Sequence, residues 1–246
     1  MRRRIGYVLA VVALVLGGAV VTGVMTPSIA AADECYTWNR VLQRGMSGSD
    51  VRELQIRVAG WVASGENLAI DGEYGPATEA AVKRFQSGYG LTPDGVAGTQ
   101  TFNKIYELQD ADCTPIHFDH SEFNYNCGAR NYEGGKVPAA TARENMRRVM
   151  WQLEALRHKL GDRPLVVTSG FRSVSCNASV GGSSTSLHMY GQAADLGLSS
   201  GPSQCQMWNG GKSAGFEELL GPGYPGHNDH VHVGNKASRF WSAPNC

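Results

Sequence analysis

Ser186-Leu187-His188-Met189-Tyr190-Gly191-Gln192-Ala193-Ala194-Asp195, followed further along by Asp229-His230-Val231-His232-Val233, decides how the second half of this 246-residue chain is read. Asp195 lies seven residues after His188, too far for neighbouring turns of one helix. Gly191 and the small Ala193 and Ala194 suit a turn running into a tightly packed strand. Alternation over 229–233 predicts a second strand, with His230 and His232 on one face. Imidazole nitrogen and carboxylate oxygen are the donors that zinc takes, at about 2.0–2.2 Å. Two arrangements are open. If His188, Asp195, His230 and His232 all bind, the centre is four-coordinate, closed and structural. If only His188, Asp195 and His232 bind, one position is left for water, and Asp229 becomes its general base once the start of the strand bends toward that side.

The length suits two domains, and 42% hydrophobic residues support packed cores. Arg2, Arg3 and Arg4 precede an apolar run over 5–24 and small residues at Ala30-Ala31-Ala32. Residues 1–32 therefore read as a secretory signal peptide, with no stable membrane insertion after cleavage. An uncleaved anchor is the competing reading, because the run approaches the length that spans a bilayer. Removing the three arginines leaves 19 basic against 22 acidic residues, a net charge of −3, and nothing suggests a nucleic-acid partner. All six cysteines, Cys35, Cys113, Cys127, Cys176, Cys205 and Cys246, follow the signal. An even number in an exported chain implies disulfides, and without a Cys-x-x-Cys pair neither thiolate zinc binding nor dithiol redox chemistry is expected.

In the first half, Ser49-Asp50 is placed to cap a helix whose stripe begins with Val51, Leu54, Ile56 and Val58 and ends at Gly60. Asp71-Gly72-Glu73-Tyr74-Gly75-Pro76-Ala77-Thr78 leads into Ala80, Ala81, Val82 and Phe85 at helical spacing. The same phrase returns 23 residues later as Asp94-Gly95-Val96-Ala97-Gly98-Thr99-Gln100-Thr101, ahead of Phe102, Ile105 and Leu108. Such a repeat means duplicated helix-entry loops. Trp61, Tyr74 and Tyr89 either present ring faces to a ligand, or pack inside; the packed reading is preferred.

Residues 113–138, rich in Asn, Asp, Gly and aromatics without a sustained period, read as a linker, with His117 and His120 as surface or capping histidines. Thr141-x-x-Glu144 forms a capping box for a helix with the stripe Met146, Val149, Met150, Leu153, Leu156 and Leu160, stopped by Gly161. Residues 164–173 read as a buried strand whose exit carries Arg172, a guanidinium suited to bidentate contact with a carboxylate. Rival chemistries fail on residues. No Ser-x-x-Lys occurs for a serine D,D-peptidase, Gln206 replaces the first glycine of a phosphate loop, and no acidic calcium loop is present.

The pattern Ser186-x-His188-x-x-Gly191-x-Ala193-x-Asp195 followed by Asp229-x-x-His232 resembles the M15 family of zinc D-Ala-D-Ala peptidases over roughly 115–246. The phrase Ala80-Ala81-Val82-Lys83-Arg84-Phe85-Gln86 with its repeat resembles the three-helix peptidoglycan-binding module over about 41–108. The resemblance implies an α+β fold: a small antiparallel sheet carrying the metal, of the D-Ala-D-Ala peptidase/hedgehog type, at 114–246, after an all-α three-helix domain at 33–113. It implies one zinc ion on His188, Asp195 and His232, the open form, with His230 outside the first coordination sphere. Asp229 is then the base, Arg172 and His227 complete the catalytic set, and Arg172, Ser186 and Tyr190 contact substrate. His227 donates to the oxyanion or is simply a loop histidine bonded to backbone. Related secreted enzymes pair successive cysteines, implying Cys35–Cys113, Cys127–Cys176 and Cys205–Cys246; the first bridge closes a long loop, stabilising by about 4 kcal/mol in the chain-entropy account. The expected protein is a secreted, wall-associated monomer that hydrolyses D-alanyl-D-alanine bonds of peptidoglycan, meeting stem peptides and glycan. The alternative is a wall-binding protein whose zinc only staples the fold.

Overall fold

The structure, a computed structural model, describes residues 35–124, 130–198 and 201–246. The expected signal peptide at 1–32 and Cys127, with its bridge to Cys176, lie outside the described residues. Cys35–Cys113 and Cys205–Cys246 are formed as the resemblance implied.

Three short helices come first: α1 (Ser49–Val58), α2 (Pro76–Gly88) and α3 (Thr99–Glu107). Val51, Leu54, Val58, Val82, Phe85, Phe102 and Ile105 meet in one buried core, as the stripes predicted. The expected cap on α1 is not made. Gly48 takes the N-cap position, and the Asp50 carboxylate is held by Arg40 at 2.5 and 3.0 Å. The carboxylate is shared between that guanidinium and the Val51 amide at 3.0 Å, so it serves the first turn of α1 from inside the helix and not from the cap position.

The sequence repeat builds a repeated clamp. Gln55 Nε2 donates to Asp71 Oδ1, the Glu73 carbonyl and Thr78 Oγ1 at 2.8–3.1 Å, while its Oε1 accepts from the Gly72 amide. Gln86 does the same with Asp94, Val96, Thr101 and Gly95. Gly72 and Gly95 share a φ of 78°, a left-handed turn that favours glycine. Tyr74 joins the two loops by donating to the Gly95 carbonyl at 2.8 Å. Gln55→Ala leaves the buried Gly72 amide and Thr78 hydroxyl short of partners, so it should lower stability by about 2–3 kcal/mol. Urea unfolding measures this, and an unmoved midpoint would contradict the clamp. Trp61 and Tyr74 are buried and Tyr89 is partly buried, so the packed reading of these rings holds.

Two shorter elements follow, α4 (His120–Asn124) and a 3₁₀ turn at Arg130–Tyr132, then the long α5 (Ala139–Lys159). The expected linker is a correction: Phe118, Phe123 and Tyr132 are buried in the second core. The capping box is another. Pro138, with φ −52°, is the N-cap of α5, three residues before Thr141, and Glu144 pairs with Arg147 at 2.7 Å. Met146, Val149, Met150, Leu153 and Leu156 face the second core, as predicted, while Trp151 and Ala155 on the opposite side complete the first. Residues Asp33–Cys246 accordingly form one compact unit. Glu53 on α1 accepts from both Arg57 and Arg147, an ion-paired seam between α1 and α5.

His120 is also corrected: it is 6% exposed, with Nδ1 2.6 Å from the Tyr132 hydroxyl. Burial, with the nearby Arg143 guanidinium adding to it, pushes its pKa down to about 4. The unfolded chain therefore takes up a proton between about pH 6.5 and 4 that the folded chain refuses, and stability falls as pH falls through that window, by up to about 3 kcal/mol. Urea midpoints at pH 7 and 4.5 should show this loss in the native chain and a smaller one in His120→Gln; equal losses would contradict it.

The remaining elements are β1 (Val166–Ser169), α6 (Val174–Ser179), β2 (Ala193–Gly197), α7 (Gln204–Gly211), β3 (Glu218–Leu220), β4 (His230–Gly234) and β5 (Phe240–Ser242). The sheet order is β1-β2-β4-β3-β5, with neighbours antiparallel except the β3–β5 pair. β1 is an edge strand with Val166 exposed, shorter and less buried than expected, because only β2 pairs with it. β2 is buried throughout. At its entry Gly191 has φ 68°, and a Cβ there would lie 2.2 Å from the Ala142 carbonyl oxygen of α5, so only glycine fits.

Candidate metal centre

His188 stands on a 3₁₀ turn, Leu187–Tyr190, that Gly191 reverses into β2. Asp195 on β2 lies directly across from His232 on β4. The turn and one cross-strand pair therefore bring three side chains together, exposed by only 2%, 4% and 5%. His188 Nε2 lies 3.1 Å from Asp195 Oδ1 and 3.2 Å from His232 Nδ1, and the last two atoms are 2.9 Å apart. Tetrahedral donors about a zinc ion would stand roughly 3.3–3.4 Å apart, so the set fits that ion with a small outward adjustment. The outer contacts assign the tautomers. His188 Nδ1–H donates to the Gly170 carbonyl at 2.5 Å, leaving Nε2 its lone pair. His232 turns Nε2 toward Glu218 and Nδ1 toward the other donors.

The electrostatics follow from burial and pairing. Burial depresses the His188 imidazole. Burial opposes ionisation of Asp195, yet the two imidazoles hold its carboxyl well below the usual range. Burial would likewise depress His232, but Asp195 and Glu218 outweigh it and lift it to about 9.

Arg172 lies beside this cluster, as expected, with an unexpected engagement: Nη2 donates to Asp195 Oδ2 at 2.5 Å and Nε to Ser169 Oγ at 2.8 Å. Ser186 caps the 3₁₀ turn without a side-chain cap bond, and Tyr190 closes it, its carbonyl accepting from Asn145. His227 Nδ1–H donates to the Pro225 carbonyl at 2.9 Å, the backbone bond of the plainer reading, while its ring packs 4.7 Å from His230 and 6.0 Å from His232. Burial pulls its pKa down.

Asp229 has an 85% exposed side chain and accepts from His230 Nδ1 at 2.8 Å, which holds it below the usual carboxylate range. His230 turns Nε2 toward the cluster, 3.8 Å from Asp195 Oδ1. Its position on the face of His232 matches the alternation, but among the described residues the group whose donor atoms lie within 4.8 Å of one another is His188, Asp195 and His232. Two contacts were not read from the sequence: the Asp229–His230 pair and Glu218 behind His232. The acid pair Glu217-Glu218 between Phe216 and Leu219-Leu220 was the available signal for Glu218.

With this geometry in hand, the comparisons are informative. Residues 116–234 match the Peptidase M15 family, and residues 47–105 match a peptidoglycan binding domain. The Zinc D-Ala-D-Ala carboxypeptidase of Streptomyces albus G is 56% identical over 92% of this chain and 87% of that protein. The chain belongs to the M15 peptidase family. Two further relatives of this M15 peptidase match over shorter stretches. The N-acetylmuramoyl-L-alanine amidase CwlL of Bacillus licheniformis is 42% identical over 26% of this chain and 19% of its own. A spore cortex-lytic enzyme of Bacillus subtilis is 46% identical over 26% and 20%. The M15 peptidase is thus a metal-dependent hydrolase joined to a peptidoglycan-binding module, and its His/Asp/His donors suit zinc.

Proposed function

We propose that this M15 peptidase hydrolyses D-alanyl-D-alanine bonds of peptidoglycan stem peptides, terminal or within cross-links, with one zinc ion held by His188, Asp195 and His232. The observation that carries the reading is the convergence of three buried donor atoms at 2.9–3.2 Å beside an exposed acid-histidine pair. Bound there, zinc would polarise the scissile carbonyl and lower the pKa of water toward neutrality. Asp229 accepts the proton of the attacking water and returns it to the leaving amine. That role comes from the family resemblance; in the structure Asp229 meets the cluster through His230, whose other nitrogen faces Asp195. Arg172 is immobilised by Ser169 and Asp195, and its remaining N–H groups orient the terminal carboxylate or the scissile carbonyl of the substrate. His227 would serve the developing oxyanion only as the imidazolium, keeping Nδ1–H on the Pro225 carbonyl and donating from Nε2–H. Ser186 and Tyr190 border the same turn and contact the substrate.

The helical module at 33–113 concentrates the hydrolytic domain at 114–246 on the wall without adding chemistry. Its partners are the glycan and stem peptides of the wall, and the buried Trp61 and Tyr74 rings are not available to them. Among the described residues no helix is long and apolar enough to cross a membrane. The proposed protein is a secreted, wall-associated monomer. Release of D-Ala from a diacylated tripeptide ending in D-Ala-D-Ala tests the reading. It should stop with chelator and return with zinc. Chelator-insensitive release, or covalent labelling by penicillin, would refute it.

A further inference from the structure

We propose that Glu218 is a positioning residue for the metal centre: its carboxylate backs His232 from the side away from the metal and sets how tightly the site holds zinc. The inference rests on the assignment of His188, Asp195 and His232 as ligands and adds an outer partner to it.

Each of the three donors has a nearest partner outside the cluster, and these partners differ in charge. His188 leans on a neutral carbonyl, that of Gly170, at 2.5 Å. Asp195 leans on a cation, Arg172, at 2.5 Å. His232 faces an anion: Glu218 Oε2 lies 3.6 Å from its Nε2. That nitrogen is buried and has no hydrogen-bond partner closer than this. When Nδ1 holds the metal, the imidazole is neutral and its proton is on Nε2. At 3.6 Å the contact is electrostatic, longer than a hydrogen bond. A metal on Nδ1 leaves the Nε2–H more acidic, which strengthens its pull on the carboxylate and favours closure of that gap.

The sheet holds Glu218 in place for this. β3 and β4 pair with Leu220 opposite His232 and Glu218 opposite Gly234, so Glu218 and His232 project on the same face as diagonal neighbours. Lys236 binds the other carboxylate oxygen at 2.6 Å, leaving Oε2 to face His232. The Glu218 side chain is 14% exposed, partly shielded from the water that would weaken the interaction. A purely structural Glu218–Lys236 pair would require neither this orientation nor the proximity to His232. The arrangement also balances charge: Arg172 offsets the negative charge of Asp195, and Glu218 puts a second negative charge beside the ligands.

The test is zinc affinity, read without activity, by competition with a chromophoric chelator. Outer carboxylate partners of ligating histidines typically change affinity by about 10–100-fold, so Glu218→Gln should weaken zinc binding by roughly that factor while the metal-free melting curve stays close to that of the native protein. Zinc affinity in Glu218→Gln within twofold of the native protein would overturn the proposal. If the variant does not fold, nitrogen-15 NMR of the zinc-loaded native protein decides: a slowly exchanging His232 Nε2–H, hydrogen-bonded to a carboxylate, supports the role, and a rapidly exchanging one overturns it. Failure of the native protein to bind zinc would remove the ligand assignment as well, whereas tight native binding with an unaffected variant would remove only the role of Glu218.

Discussion

Asp195→Asn should abolish both tight zinc binding and turnover. The side chain keeps its size, so packing between β1 and β4 is retained, but the donor becomes a neutral amide between two imidazoles and the Arg172 guanidinium. The negative charge that offsets both the cation and Arg172 is lost. Metal catalysis supplies several kcal/mol of transition-state stabilisation, so D-Ala release should fall by roughly 10⁴-fold, beyond detection in an end-point assay. Metal content after dialysis, measured with the rate, checks the account. Native turnover in a variant depleted of zinc would contradict it. The Arg172 guanidinium, left beside a neutral amide, also becomes a partly buried cation without its anion, so some loss of stability accompanies the loss of metal.

Asp229→Asn should separate chemistry from metal binding. The carboxylate is exposed and bonded to His230, with no place in a packed core, so folding and zinc content should be unchanged. General acid-base groups contribute about 10²–10⁴-fold, and kcat for D-Ala release should fall by that factor with little change in KM. Retained zinc with lost turnover supports the role of base, and native kcat in the variant would assign the proton transfer to another group.

The link between His188 and Asp195 was legible because one glycine-reversed turn joins them, whereas the pairing of Asp195 with His232 across β2 and β4, and the choice of His232 over His230, came from the family resemblance. The outer contacts of the centre were not legible, since Glu218 and Arg172 reach the cluster only through the order of strands in the sheet. The repeated loops of the first half were visible as Asp71-Gly72 and Asp94-Gly95. The glutamines that clamp them sit on preceding helices, where Gln55 and Gln86 look like ordinary surface residues until tertiary contact buries them.

The same limit explains the misread stretch at 113–138. Without a helical or strand period, the aromatic residues Phe118, Phe123 and Tyr132 suggested a linker, but α5 and the sheet supply the apolar surface that buries them. His120 was drawn inward with them. α5 itself was clear from its stripe, yet Trp151 on its other side showed no sign that a second core would claim it. Capping was read from side chains alone. In α5 an ion pair to Arg147 took the carboxylate that local rules would give to the helix end, and in α1 the Asp50 carboxylate is shared between Arg40 and the Val51 amide.

The claim on which the rest depends is that three side chains hold the metal and that His230 does not. A zinc-loaded crystal, with the ion located from its anomalous signal, tests it directly. The account predicts bonds from His188 Nε2, Asp195 Oδ1 and His232 Nδ1, a solvent oxygen in the fourth position, and His230 Nε2 outside bonding distance. A zinc ion bonded to all four side chains would contradict it and leave a structural site in place of a hydrolytic one.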